Sequence, residues 1–321
     1  MPVLLAEATR GDWVESRHYG WAVLVDAHGH VVEEIGDAVE VFARSSLKPF
    51  QAMPLLLSGA ADRLGLTETE LAIACSSHSG TERHVAEARS ILEKAGVDPA
   101  YLHCGAHLPL YEPTAERMRC AHEAPTPLHN NCSGKHAGML AVCQDQGWDL
   151  ATYYRFEHPL QQEIRRYLAD LTGLRPEDLV AGIDGCGIPA WRLPLRSLAV
   201  AFARLVADPR LERLERAMAH HPDLVAGEGR FDTILMEAAG GHLVTKAGAE
   251  AIHAGCDRTS GLAWAVKIAD GNRRVIPPVV LKLLDRHGVL SDSERQALAS
   301  WIEPTLVNHA GTRVGVLRSA R

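Results

Sequence analysis

Two hydrophobic periods share this chain, and their order limits the folds open to it. Near the start, "GWAVLVDAHGHVVEEIG" holds two apolar runs around a glycine-containing turn, the mark of a hairpin. Near the end, "GHLVTKAG", "AEAIHAG" and "GLAWAVKIADGN" read as successive strands, and "TRVGVLR" as a closing strand. Between them, "LQQEIRRYLADLTG", "LRSLAVAFARLVADP" and "LERLERAMAHHPDLV" repeat apolar residues every three to four positions, as helices do. Strands at both ends must find each other across a helical middle. The expected class is therefore α/β of the α+β type: a largely antiparallel sheet flanked by helices, in one unit over residues 1–321. A helical subregion at about 155–240 is inserted between the sheet-forming parts.

Shorter elements fit around this frame. Leu47 to Leu57 carry helical spacing and stop before Gly59, and a further helix is expected near Pro278–His287. "LAIAC" (Leu71 to Cys75) reads as a buried strand leading through "SSHSG" into a helix from about Thr81.

The net charge of −7 disfavours a nucleic-acid or anionic-membrane surface, which wants a basic field. No apolar run approaches the roughly 18 residues of a membrane span, and the start "MPVLLAEATRGDW" lacks the basic region of a secretory signal. Seven cysteines, an odd number in a long chain, suit reduced thiols. A cytoplasmic location is expected.

Five segments carry groups capable of chemistry. In "ARSSLKPFQ", Pro49 is tolerated only in a first helical turn, which places Ser45 at the N-cap and Lys48 on the same side. Such an S-x-x-K pair can transfer acyl groups if burial neutralises the lysine; alone, it is equally a cap and a surface charge. "CSSHSG" presents hydroxyls at a sharp turn but lacks the G-x-S-x-G elbow, since His78 takes the centre. "NNCSGKHAG" is no phosphate loop, because His129 stands where a glycine is needed; it is a helix start capped by Ser133, whose positive end lowers the Cys132 thiol pKa. "GIDGCGIP" exposes Asp184 and Cys186 between glycines, and "TKAGAE" puts Lys246 before a small residue and Gly248. Each also has a plain structural reading as a loop or an edge strand.

Taken together and in order, "ARSSLKPFQ", "CSSHSGTERH", "NNCSGKHAGM", "DGCGIP", "VAGEGRFDT" and "KAGAE" resemble the L-asparaginase II family of the Rhizobium etli type, over nearly the whole chain. The resemblance implies a fold similar to serine β-lactamases and glutaminases, and an amidohydrolase releasing ammonia from L-asparagine. It implies two Ser–Lys pairs, Ser45 with Lys48 and Ser77 with Lys246, and Ser45 is the expected nucleophile because it lies at a helix start. Arg44, Asp184 and His136 are implied as substrate-binding residues, with Asp184 on the α-ammonium group. Cys132, Lys135 and Cys186 are implied as ligands of zinc, and the assembly as a homodimer. Phe231 and Asp232 depart from the Tyr and Cys of the best-characterised relatives, which would alter substrate affinity or the lining of the metal site. Two rival readings share the features: a penicillin-recognising serine hydrolase, disfavoured by the missing S-x-N element, and a non-catalytic zinc-binding protein.

Overall fold

The computed structural model describes residues 1–320. Its strands are β1 (Val3–Arg10), β2 (Trp13–Val25), β3 (Val31–Ile35), β4 (Glu40–Phe42), β5 (Val180–Ile183), β6 (Pro189–Pro194), β7 (Leu243–Gly248), β8 (Ile252–Asp257), β9 (Ala263–Ile268), β10 (Thr305–Val307) and β11 (Arg313–Ser319). The main sheet runs β10-β11-β1-β2-β9-β8-β7, with β3 also on β2, and a small sheet runs β4-β6-β5. Every pairing is antiparallel. The sheet joins β2 near the start to β9 near the end, in the register Val23↔Ala265. The strands at the two ends of the chain do share one sheet.

The second half of β2 and most of β9 are buried on both faces because both sides of the sheet are covered there. Successive side chains of a strand point to opposite faces. Val23 and Val25 of β2, with Ala263 and Ala265 of β9, enter one core. Ala22 and Leu24, with Trp264, Val266 and Ile268, enter a second. The first lies under helix Leu195–Ala207, which packs on β2, β8 and β9; the second lies under helix Ile276–Arg286.

The first core is centred on helix Ser133–Gln146, buried throughout from Ser133 to Cys143. It packs on helices Glu82–Ala95 and Glu68–Ala74. Four local expectations are corrected here. "LAIAC" is helical, within Glu68–Ala74, because Thr67 and Glu70 form a reciprocal capping box three residues upstream, and a fully buried apolar run does not distinguish helix from strand. The expected helix from Leu47 to Leu57 is split into a 3-10 turn Arg44–Leu47 and helices Lys48–Gln51 and Met53–Leu57, because Pro49 and Pro54 each occupy a first turn. Ser133 does not cap its helix: Cys132 holds the N-cap position, and the Ser133 hydroxyl donates to the Leu128 carbonyl. The helical middle also contains β5 and β6, which pair with each other, and β6 leaves it to pair with β4.

No described helix is long and apolar enough to cross a membrane.

Two helices cross closely at Gly134, where an added Cβ would lie 2.2 Å from the Ile73 carbonyl oxygen. That neighbour is backbone and cannot turn aside. Gly134→Ala is expected to destabilise the protein by about 1–3 kcal/mol, the usual range for overpacking, measured by chemical denaturation. Unfolding of the variant at the parental denaturant midpoint would refute the tight crossing.

Candidate active site

The site begins with three chain segments brought to one buried point. Lys48 opens the helix after β4, Ser77 lies in the loop after helix Glu68–Ala74, and Lys246 is on β7, the terminal strand of the main sheet. Both lysines reach the same hydroxyl: Lys48 Nζ and Lys246 Nζ are each 2.9 Å from Ser77 Oγ. Lys48, Ser77 and Lys246 are all buried.

The two amines have different surroundings. Lys48 Nζ also meets the carbonyls of Ser76 at 2.5 Å and Asn131 at 3.2 Å, so it has three acceptors for the three N–H bonds of an ammonium. Lys246 Nζ donates to the Ala247 carbonyl at 2.8 Å and otherwise meets Ser77 alone. Burial pushes both pKa values down, that of Lys246 to about 7. Asp232, Cys132 and the other lysine act on Lys246 more weakly.

The serine loop is strapped from both sides. Ser77 N–H donates to Val225 O at 2.9 Å, and His78 N–H to Asn131 O at 3.2 Å. Arg230, half-buried beside them, donates to the Ser77 carbonyl. The His78 ring accepts from Gly80 N–H through Nδ1 at 3.1 Å, so its Nε2 donates to Ser133 Oγ at 2.8 Å. Burial holds that ring well below its ordinary pKa. Ser133 therefore ties the loop to the central helix.

A second group lies where β4, β5 and β6 end. Arg44 follows β4 and donates twice to Asp184 Oδ1 after β5, at 3.1 and 2.8 Å. Arg44 has φ 51°, a left-handed backbone uncommon outside glycine, as found where a functional side chain must be aimed. Burial would raise the Asp184 pKa, but the hydrogen bonds from Arg44 and the charge of Lys135 win and lower it. An open groove of about 550 Å³ passes Arg44, between Trp21, Phe42, Ile183, Glu250 and Lys267.

Cys132, Lys135 and Cys186 converge between these groups. Lys135 Nζ is 3.0 Å from Cys186 Sγ, and both thiols are free and buried. A hydrogen bond from Cys186, outweighing burial and helped by Lys48 and Lys135, holds Cys132 well below the usual thiol pKa. Burial opposes the charge on Lys135, but the two cysteines keep its pKa raised. Among the described residues no group of three His, Cys, Asp or Glu side chains is arranged for a metal. The two sulfurs are of the kind zinc takes, and the Lys135 amine would join them only after losing the proton it holds here. His136, on the same helix, binds Tyr153 Oη through Nδ1 at 2.6 Å and leaves its buried Nε2 without a protein partner.

Of the expected pairs, Ser77 with Lys246 is formed. Ser45 and Lys48 share only a backbone hydrogen bond, Lys48 N–H to Ser45 O, among the described residues, because the ammonium of Lys48 is used by Ser77 and the Ser76 and Asn131 carbonyls. Ser45 lies half-buried in the 3-10 turn beside Arg44. Asp232 does not line the thiol group. It lies behind β7, accepting from Thr245, Ala247 N–H and His253 at 2.9 to 3.0 Å. Phe231 turns away, toward Trp301. Sequence reasoning missed Arg230 and the carbonyls of Ser76, Asn131 and Ala247. The arginine between glycine and phenylalanine in "GEGRFDT" was a visible signal; backbone acceptors leave none.

Comparison with known proteins adds three findings. No curated protein matches the chain significantly. Among solved structures, a protein described as a candidate beta-lactamase from Bacteroides dorei matches with a TM-score of 0.42 and 13% identity, over 83% of this chain and 93% of that one. The model of the family described as L-asparaginase II matches residues 6–319. Spanning nearly its whole length, that match makes this chain a member of the L-asparaginase II family.

Proposed function

We propose that the protein is an L-asparaginase in which Ser77 is the nucleophile and Lys246 its base. The observation that carries this reading is the single hydroxyl held 2.9 Å from two buried lysines, one with three acceptors and one with a lone pair to spare. Ser77 Oγ attacks the side-chain amide carbon while Lys246 Nζ takes the hydroxyl proton. The Lys48 ammonium, fixed beside the same oxygen, stabilises the negative charge that Ser77 Oγ gains as its proton leaves. Lys246 then returns the proton to the departing nitrogen, ammonia leaves, and an ester joins Ser77 to the aspartyl group. Water attacks that ester and gives a proton to Lys246, which passes it to the departing Ser77 oxygen as aspartate is released.

Asp184 and Arg44 bear opposite charges at the rim and suit the α-ammonium and α-carboxylate groups of an amino acid. The open Nε2 of His136 adds a donor inside. Zinc on Cys132, Cys186 and Lys135 would supply Lewis-acid polarisation or orient the substrate. A homodimer, which the resemblance implies, and a cytoplasmic location, expected from the reduced thiols, belong to the same proposal.

Ammonia release from L-asparagine, set against L-glutamine and a chromogenic β-lactam, tests the reaction. Ser77→Ala is expected to lower kcat by about 10³-fold or more, whereas Ser45→Ala should stay within about tenfold of the parent. The reverse order of damage would return the nucleophile to Ser45, and preferred β-lactam turnover would remove asparagine as the substrate.

Lys246 also links stability to pH. Its folded pKa of about 7 is below the unfolded value near 10.4. Protonating it in the fold costs stability below pH 7, and that cost fades as pH rises toward 10. Lys246→Met should therefore gain stability over the parent at pH 6, lose the advantage by pH 10, and be inactive. A difference independent of pH would mean that Lys246 has no depressed pKa.

For the metal, protein purified without chelators is expected to hold about one zinc per chain by elemental analysis, and Cys132→Ser or Cys186→Ser to hold far less. Equal metal content in all three would place the ion elsewhere.

A further inference from the structure

Asp232 is the one position in the loop "GEGRFDT" where this chain puts a charge in place of the cysteine of the relatives it resembles, and the structure gives that charge a place. Its carboxylate is 2% exposed. Oδ2 accepts the N–H of Ala247 on the outermost strand of the sheet at 2.9 Å, and Oδ1 accepts Thr245 Oγ1 and His253 Nε2, each at 3.0 Å. Thr245 and Ala247 flank Lys246. The Trp264 indole donates to His253 Nδ1 at 3.3 Å, so the proton of that ring is on Nε2 and points at Asp232. Three donors thus fix a buried anion against the backbone that carries Lys246.

We propose that Asp232 is a positioning residue that sets the proton affinity of Lys246, and with it the acid limit of the reaction. This rests on the proposed role of Lys246 as the base. Other charges facing Lys246 cannot substitute. Lys48 and Arg230 repel its proton, Cys132 attracts it weakly, and the Cys75 thiol is held protonated by burial. On the neighbouring strand, His253 turns its N–H to Asp232. Of the other elements packed on β7, the 3-10 turn offers Arg44, paired with Asp184, and helix Glu212–His220 offers Glu215, paired with Arg258. Asp232 is the carboxylate left to balance Lys48, Lys246 and Arg230 inside the protein. Burial lowers the affinity of Lys246 for its proton, and Asp232 limits the fall.

The sign of the test follows. Without the anion, Lys246 loses its proton at lower pH, so the acid limb of the reaction moves to lower pH. The readout is the rate at which a fluorophosphonate labels Ser77: the serine oxygen bonds to phosphorus, fluoride leaves, and the serine proton passes to Lys246. Rates are measured from pH 4 to 10, with the labelled residue identified by mass spectrometry. Asp232→Asn and Asp232→Cys, both uncharged when buried, are expected to move the acid limb down by about one pH unit or more, while Asp232→Glu keeps it near the parent. Absence of Ser77 labelling in the parent would overturn the Ser77 mechanism and this proposal with it. Labelling in the parent with the limb of the neutral variants unmoved would overturn this proposal alone. So would failure of both neutral variants to fold while Asp232→Glu folds, since the carboxylate would then serve the fold.

Discussion

The structure depends on two lysine side chains kept out of water around one hydroxyl. Removing an ammonium group from water costs several kcal/mol even after relaxation, and this chain does so twice at Ser77. The protein offsets part of that cost with carbonyls rather than carboxylates: Ser76 and Asn131 for Lys48, Ala247 for Lys246. A carbonyl accepts a hydrogen bond without locking the amine in its charged form as strongly as a salt bridge would. That choice leaves Lys246 able to titrate near neutrality.

Those carbonyls must stay fixed, which explains the order of the surrounding elements. The Ser77 loop is held by Val225 and Arg230 on one side and Asn131 on the other. Asn131 stands one residue before the N-cap of the most deeply buried helix, whose first turns also present Lys135 and His136. Lys246 is on a terminal strand, whose outward N–H groups would normally face solvent or another chain. Asp232 takes one of these N–H groups, so the same contact seals the edge and faces the base.

Much of this was legible in the sequence, for physical reasons. The strand patterns at the two ends paired as their period required. Each candidate segment contributes to one connected region: Arg44 with Asp184, Lys135 with Cys186, Ser77 with Lys246. What was not legible is which serine meets Lys48. Spacing places Ser45 and Lys48 within one turn, but a lysine side chain is long enough to reach across a core. Here its acceptors come from residues 76, 77 and 131. The helix at "LAIAC" was hidden for a different reason: burial on all sides removes the periodicity that separates helix from strand, and the decisive capping box lay upstream of the apolar run.

The division of charge explains why one fold keeps two clusters so close. At the rim, Arg44 and Asp184 neutralise each other and are partly open to water, so the pair is held weakly and the proposed zwitterionic substrate would displace it at small cost. Inside, the Ser77 group has more cationic than anionic side chains, which favours an oxyanion once substrate has displaced water. Cys132 lies between the two, drawn toward its thiolate by Cys186, Lys48 and Lys135. A cation on the two sulfurs would lower the negative charge that Lys48 feels and lower its proton affinity in turn. Were the thiol cluster to hold a cation, its occupancy and the charge at Ser77 would be coupled through Lys48, which faces both.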